Sequence, residues 1–430
     1  MKKINLQVAL DFIDLKRALN VAREAVSGGC DWIEAGTPLI KSEGLKAVRE
    51  LKKMFPQKTI VADMKVMDAG RIEVEAAAKA GADVICVLGA ATDATIAECV
   101  SAAKNIGAKI QVDLIGIKSP ISRTKELLKI GVDIIGVHCS IDDQMKAKDP
   151  LKDFKEVVKI AGIPVSVAGG INSENAFLYA AAGADIIIVG GAITKSDDAA
   201  KAVKSIKSGI KKRVKIKSRY FKRINGDKIE STLSRVSTAN VTDAMHRQGA
   251  LNNFIFIGKK KKFFGRAVTV RTYPGDWAKP VQAIDVANPG DVIVIDAGGV
   301  GPAVWGELAT VGAHKKKISG IIVNGAVRDS EEISRIGFPV YCRLVSPNAG
   351  EPKGFGEIGV PLNMSGITIS PGDWILSDSD GVCVIPSKNA AEIANRSMNV
   401  CETENRLRSE ILKGSTLGKV TELLRWEKIK

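Results

Sequence analysis

Short apolar runs recur along the first half of the chain at a near-constant interval. They are Leu6–Leu10, Trp32–Ala35, Thr59–Ala62, Val84–Leu88, Ile110–Leu114, Ile134–Val137, Pro164–Ala168 and Ile186–Val189. Such runs read as strands buried on both faces of a parallel sheet. Between them lie helix-like segments rich in Ala, Lys and Glu, such as Leu15–Val26, Arg71–Ala80 and Glu174–Ala182. Several end in a glycine suited to a helix C-cap: Gly81, Gly107, Gly131, Gly162 and Gly183. The phrase Ala-Gly-Ala-Asp precedes a strand at 80–83 and again at 182–185, and Ile130-Gly131-Val132-Asp133 is a variant of it. The repeated unit is a βα module. Eight such modules predict an α/β fold, a (β/α)8 TIM barrel over residues 1–212. A doubly wound sheet is the alternative, but even spacing without a G-x-G-x-x-G turn speaks against it.

The pattern changes beyond that point. Ser237–Met245 predicts a helix opening, with Ser237 or Thr238 as N-cap. Strand-like runs follow at Ala267–Arg271, Val292–Ile295, Ile321–Val323, Val340–Arg343 and Val382–Ile385, bounded by Gly, Pro, Asn and Asp. Residues 224–430 are therefore expected to form a second domain, joined to the first by a basic linker at 213–223. In the tail, Leu407, Ile411, Leu412, Leu417, Val420, Leu423 and Leu424 form an apolar stripe that predicts a packing pair of helices.

Composition narrows the class. A chain of 430 residues, 45% apolar and 26% charged, fits two globular domains. No apolar run approaches the roughly 20 residues of a membrane span. Asp11 interrupts the first strand, where a signal peptide needs an unbroken apolar core. The seven cysteines are odd in number and contain no C-x-x-C, so they read as reduced thiols of a cytoplasmic protein. The net charge of +15 is local: the segment 211–223 holds eight Lys and Arg and no acid. It serves either as a solvated linker or as a contact for nucleic acid or an acidic partner.

The chemistry gathers at predicted strand ends. Asp63 and Lys65, two apart on a strand, leave it on one face, and Asp68 follows at a turn marked by Gly70. Two carboxylates and an ammonium make either a structural ion-pair network or a site that stabilises an anionic intermediate. The other strand ends decide between them. They carry Asp11, Glu34, Asp113 and His138, then Gly169-Gly170 and Gly190-Gly191. A barrel collects its chemistry at this rim. Buried carboxylates cost several kcal/mol unless paired or metal-bound, so one shared site is expected. Glu34 and Asp63 are hard oxygen donors suited to Mg2+ or Mn2+. His138 is the candidate for proton transfer. The paired glycines, with Gly170 and Gly191 as binding residues, offer backbone N–H groups to a phosphate.

Val8-Ala-Leu-Asp11, Ile33-Glu-Ala-Gly36, the Asp63-x-Lys65-x-x-Asp68 motif, Val112-Asp113-Leu114 and Val137-His138 together resemble the orotidine-monophosphate decarboxylase suprafamily. Within it, residues 1–210 are most similar to 3-hexulose-6-phosphate synthase and to 3-keto-L-gulonate-6-phosphate decarboxylase. The resemblance implies a metal-stabilised enediolate, with formaldehyde and ribulose 5-phosphate as substrates of the synthase reaction or products of its reverse. It also implies a homo-oligomer built on dimeric barrels, in which Asp68 reaches the neighbouring protomer's site. The decarboxylase usually carries Glu at the place of Asp113 and Arg at the place of Ile141. Both departures favour the synthase, although Ile141 also replaces the aromatic common there.

In the second half, Arg328 is suited to hold a carboxylate by its two-pronged guanidinium, and Asp329 to hold a divalent ion. Asp296-Ala-Gly298-Gly299-Val-Gly301 is a loop whose N–H groups are expected to complete an anion site. Ser237–Met245, Gly298-Gly299, Trp305-Gly-Glu307, Val323–Asp329 and Asp380-Gly-Val382 resemble the ribonuclease E activity regulator A-like family. That family includes 4-hydroxy-4-methyl-2-oxoglutarate aldolases, tends to form trimers, and implies a swivelling β/β/α-type domain. Val300 and Gly301 stand where the aldolases often have an acid. Two readings stay open for this half: a metal-dependent pyruvate-type lyase, or a non-catalytic module that binds protein or RNA.

Overall fold

The computed structural model of the chain describes residues 3–218, 223–224, 228–259 and 262–421. It divides into two compact units, Met1–Arg223 with Glu402–Lys430, and Ile224–Cys401.

The first unit is a closed barrel of eight parallel strands in sequential order. These are β1 (Asn5–Leu10), β2 (Trp32–Ala35), β3 (Thr59–Val66), β4 (Val84–Leu88), β5 (Lys109–Asp113), β6 (Ile134–His138), β7 (Val165–Ala168) and β8 (Ile186–Val189). Alternation along each strand sorts the side chains. Leu6, Val8, Leu10, Ile33, Ile60, Ile85, Ile110, Val137 and Val167 pack outward against the helices. Ala9, Val61, Val84, Cys86, Ile134, Ile186 and Ile188 fill the narrow interior. This division holds the register. A one-residue slip of β1 would exchange Leu6, Val8 and Leu10 for Gln7, Ala9 and Asp11, at about 1.5–3 kcal/mol for each aliphatic side chain uncovered.

The glycines close the helices as their left-handed φ values require. Gly107 (φ 75°) and Gly131 (φ 85°) end the helices Asp93–Ile106 and Pro120–Ile130. Of the segments between strands, the first helix, α1 (Leu15–Ser27), is capped by the Asp14 carboxylate, which accepts the Arg17 N–H.

The segment after the last barrel helix, Ala199–Lys212, differs from a solvated linker in its described part. Ser173 and Ile216 exchange hydrogen bonds, Ser218 N–H donates to Glu174, and Lys215 pairs with Glu174 at 3.3 Å. Residues 214–218 are thus tied to the loop that follows β7. Tyr220 and Phe221 lie outside the described residues.

The second unit is built on a ten-stranded mixed sheet. Its parallel centre runs Val340–Val345, Gly320–Val327, Val292–Asp296 and Phe263–Arg271. Antiparallel strands Trp374–Asp378 and Gly381–Ile385 extend it. The helix Thr238–Ala244 opens on Ser237 with a reciprocal capping box to Asn240.

The tail departs from expectation. The last long helix spans Ala390–Leu412, so it starts well before 402, and the stretch from Glu402 groups with the barrel unit. The cause is electrostatic. Arg406 donates to Glu24 and to the Ser196 carbonyl, and Glu410 accepts from Arg17. Only part of the apolar stripe is covered: Val420 is buried and Leu407 and Ile411 are partly so, whereas Leu412 and Leu417 are 82% and 61% exposed. Leu423 and Leu424 lie outside the described residues.

Candidate active site

The C-terminal rim of the barrel brings Asp63, Lys65, Asp113 and His138 into one connected cluster. β3 reaches the rim through a register shift between Ala62 and Val66, and Lys65 there adopts φ 49°. A left-handed lysine is strained by about 1–3 kcal/mol and needs surrounding contacts to hold it. Those contacts are ionic. Lys65 Nζ lies 2.8 and 3.0 Å from the two oxygens of Asp63 and 3.4 Å from Asp113 Oδ2. Asp63 also accepts from the Thr37 hydroxyl at 2.7 Å. Burial opposes the charge on Lys65, but Asp63 and then Asp113 more than offset it, so its pKa is raised and the ammonium is permanent.

Asp113 Oδ2 stands 2.8 Å from His138 Nδ1. Burial pushes the Asp113 carboxyl up, yet His138, Lys65 and the Ile115 N–H outweigh it and hold the pKa below its ordinary value. An ionised carboxylate can only accept, so Nδ1 carries a hydrogen and Nε2 is the ring nitrogen turned away from Asp113. The contact fixes the orientation of the ring.

Glu34 and Asp11 make up the acidic side. Glu34 is buried in the barrel, where Gln7 Nε2 donates to it. Burial, then Asp63, then Asp11 push its carboxyl well above the usual range. Asp11 reaches solvent through the mouth but is crowded by protein elsewhere. Burial and Asp63 raise it, while Lys65, His138 and Lys195 pull the other way. Three carboxylates that feel one another, with one lysine among them, form an acid surplus that a divalent cation would relieve. Among the described residues no three His, Cys, Asp or Glu side chains are grouped as a ready metal cage. Mg2+ needs only one or two carboxylates when substrate and water supply the rest, so Glu34 and Asp63 fit it on those terms.

Asp68 stands apart from this cluster. It is exposed, and its carboxylate accepts the neighbouring Ala69 N–H at 2.7 Å. The glycine pairs sit on the same rim as the cluster, directly after β7 and β8. Gly170 has φ 67°, and a side chain on Gly169 would meet the Cys139 carbonyl. Gly191 opens a short helix turn, Gly191–Thr194.

In the second unit, Arg328 and Asp329 follow the strand Gly320–Val327, and Gly298 and Gly299 follow its parallel neighbour Val292–Asp296. Asp329 adopts φ 58°, accepts the Glu307 N–H at 3.1 Å and lies 3.5 Å from Arg328 Nε. Gly306 makes this possible, since a Cβ there would come within 2.7 Å of Asp329 Oδ2. The glycine loop corrects the expectation of a free N–H cradle. Gly298 N–H donates to Asp296 Oδ1 and Gly299 N–H to the Asn324 carbonyl. The loop folds back on its own strand ends, so those two donors are already engaged. Arg328 remains half-exposed and open to an anion.

Comparison with known proteins accords with this geometry. Residues 4–206 match the model of the orotidine 5'-phosphate decarboxylase / HUMPS family. The 3-hexulose-6-phosphate synthase of Mycobacterium gastri is 40% identical over 207 residues, all of that protein and 48% of this chain. The chain belongs to this family. The 3-hexulose-6-phosphate synthase of Bacillus subtilis is 41% identical over 207 residues, 97% of that protein and 47% of this chain. A solved 3-hexulose-6-phosphate synthase from Salmonella typhimurium is 35% identical, covering 49% of this chain and all of that one, with a TM-score of 0.48. Residues 238–384 match the Aldolase/RraA model, so the HUMPS-family barrel is followed by an RraA-like module.

Several neighbours of the rim cluster are given no role by sequence reasoning. Gly36 lets Asp11 approach, since a Cβ at 36 would collide with Asp11 Oδ1. Thr37 and Gln7 steady Asp63 and Glu34. Gly36 and Thr37 directly follow the Glu34 strand, and that adjacency was a signal. Gln7 and Lys195 gave none. Burial first, and Arg223 second, push the Lys195 ammonium down to about 8, with Glu402 and Asp11 opposing.

Proposed function

We propose that the barrel joins formaldehyde to D-ribulose 5-phosphate in an aldol condensation that yields a 3-hexulose 6-phosphate, or cleaves that product in reverse. The reading rests on one observation, the continuous chain Asp63–Lys65–Asp113–His138 across the barrel rim. His138 Nε2 takes the proton from C1 of the sugar, leaving an enediolate. Lys65 stabilises the negative charge that develops on the oxygens. The C1–C2 electron pair forms the new bond to the formaldehyde carbon, and the formaldehyde oxygen receives the proton that His138 holds. Asp11 and Asp113 orient substrate hydroxyls, and the backbone at Gly170 and Gly191 seats the phosphate. Bound at Glu34 and Asp63, Mg2+ or Mn2+ would supply Lewis-acid polarisation of the carbonyl. Asp68 is assigned to the mouth of a partner barrel in a dimer. Decarboxylation of 3-keto-L-gulonate 6-phosphate is disfavoured, because Ile141 is an exposed, uncharged side chain where that chemistry uses an arginine.

For the second unit we propose a keto-acid site with Arg328 as carboxylate anchor and Asp329 as a ligand for a divalent ion. Oxaloacetate decarboxylation with Mg2+ and an Arg328→Ala control separates this reading from RNA or protein binding.

The primary test incubates the intact chain with ribulose 5-phosphate, formaldehyde and Mg2+ and measures hexulose-phosphate formation. Asp63→Ala and His138→Ala should each lower the rate by about 100-fold or more. Undiminished turnover by either variant overturns the assignment.

A further inference from the structure

The outer face of α1 carries charge that the barrel chemistry does not use. Lys16, Asn20 and Arg23 share a stripe at helical spacing, beside Arg17 and Glu24. Opposite them run the last turns of the helix Ala390–Leu412 and the turn into the short helix Leu417–Val420. Between these walls, wholly within the first unit, lies a cavity of about 810 Å³.

The wall of the cavity is neutral and built. Glu24 accepts from both terminal nitrogens of Arg406 at 3.2 Å. Glu410 accepts from Arg406 Nε at 2.9 Å and from Arg17 Nε at 3.1 Å. Arg406 is 5% exposed, so this chain of two arginines and two glutamates is fixed in place. The remaining acid, Asp14, caps α1. Four exposed cations are left on the rim: Lys16, Arg23, Lys413 and Lys419. None has a carboxylate partner among the described residues. Arg23 bonds the Asn20 side-chain carbonyl at 2.7 Å, and Lys413 reaches the Asp197 backbone carbonyl at 3.5 Å.

We propose that this hollow binds a small polyanion bearing two or more phosphate groups. Four exposed like charges around one cavity favour an anion placed between them, most strongly at low salt. The cavity is larger than a lone phosphate needs and falls in the range of about 300–1,000 Å³ typical of small-molecule sites. A sugar monophosphate brings two charges at most, whereas a di- or triphosphate matches the rim. The aliphatic stems of the lysines also leave room for a group attached to the phosphates. The two walls make the site concave, which suits a small ligand rather than a nucleic-acid duplex. The site is separate from the barrel rim, although Arg406 also holds the Ser196 carbonyl in the loop after β8.

The test is calorimetric titration of the full chain with inorganic triphosphate and, separately, with ATP. Saturating ribulose 5-phosphate is present throughout to occupy the sugar-phosphate seat. One site per chain is expected, with affinity falling as salt rises. Equal binding of both probes assigns recognition to the phosphates alone, and tighter binding of ATP adds the nucleoside. Lys413→Glu/Lys419→Glu and, independently, Lys16→Glu/Arg23→Glu should each weaken binding by about tenfold or more. Lys109→Glu, exposed at the start of β5, should not change it. Hexulose-phosphate formation and far-UV dichroism report that each variant is folded. Absence of binding by the native chain, or binding undiminished in both reversal variants, overturns the proposal.

Discussion

His138 Nδ1 lies 2.8 Å from Asp113 Oδ2, and this contact leaves Nε2 as the ring nitrogen turned away from the carboxylate. Because Asp113 accepts the Nδ1 hydrogen, the proposed proton transfer at C1 falls to Nε2. The half-reaction is separable from condensation. In D2O with ribulose 5-phosphate and Mg2+ but no formaldehyde, the native chain should exchange the C1 hydrogen. His138→Ala should slow this exchange by about 100- to 10,000-fold, as read by proton NMR.

Lys65 separates Asp63 from Asp113, so its removal leaves two buried carboxylates facing each other. Lys65→Met should destabilise the barrel by about 3 kcal/mol at pH 7. Without the ammonium the folded-state pKa of Asp113 rises, since Lys65 is one of the groups that hold it down. A raised pKa gives stability that is present at low pH and lost as pH rises through the folded value. The melting-temperature deficit of Lys65→Met should therefore be large at pH 8 and shrink toward pH 4.

Asp113 behaves in the opposite sense in the native chain. Its pKa is depressed from 3.8, so it contributes stability above that value and loses it as pH falls through the folded pKa. Asp113→Asn removes this dependence. Its acid-unfolding curve should be shallower than the native one below pH 4, measured by circular dichroism.

Gly36, directly after β2, passes Asp11 without a side chain. Gly36→Ala should cost about 1–3 kcal/mol and displace Asp11, raising KM for the sugar phosphate. Thermal melting and steady-state kinetics check the two parts separately.

In the second unit Gly306 plays the corresponding role for Asp329. Gly306→Ala should lower any Mg2+-dependent oxaloacetate decarboxylation about as much as Arg328→Ala does, with a stability loss of about 1–3 kcal/mol. An unchanged rate would remove Asp329 from the site.

The barrel was legible in the residues because its signal is local. Short apolar runs, glycine caps and evenly spaced modules each report on a few neighbouring positions, and the strand ends named the acids, the lysine and the histidine of the rim. The same reasoning placed Arg328 and Asp329 beyond a buried strand. Other features depend on residues far apart in the chain and leave no periodic trace. The left-handed turn at Lys65 exists because Asp63 and Asp113 capture its ammonium. The Gly298-Gly299 loop lost its free donors to Asp296 and Asn324. The residues after 402 joined the barrel because Arg406 and Glu410 found Glu24 and Arg17, almost four hundred positions away. Backbone preference and side-chain polarity act along the chain and can be read there. Which charge meets which is set only once folding has brought distant segments within a few ångströms of each other.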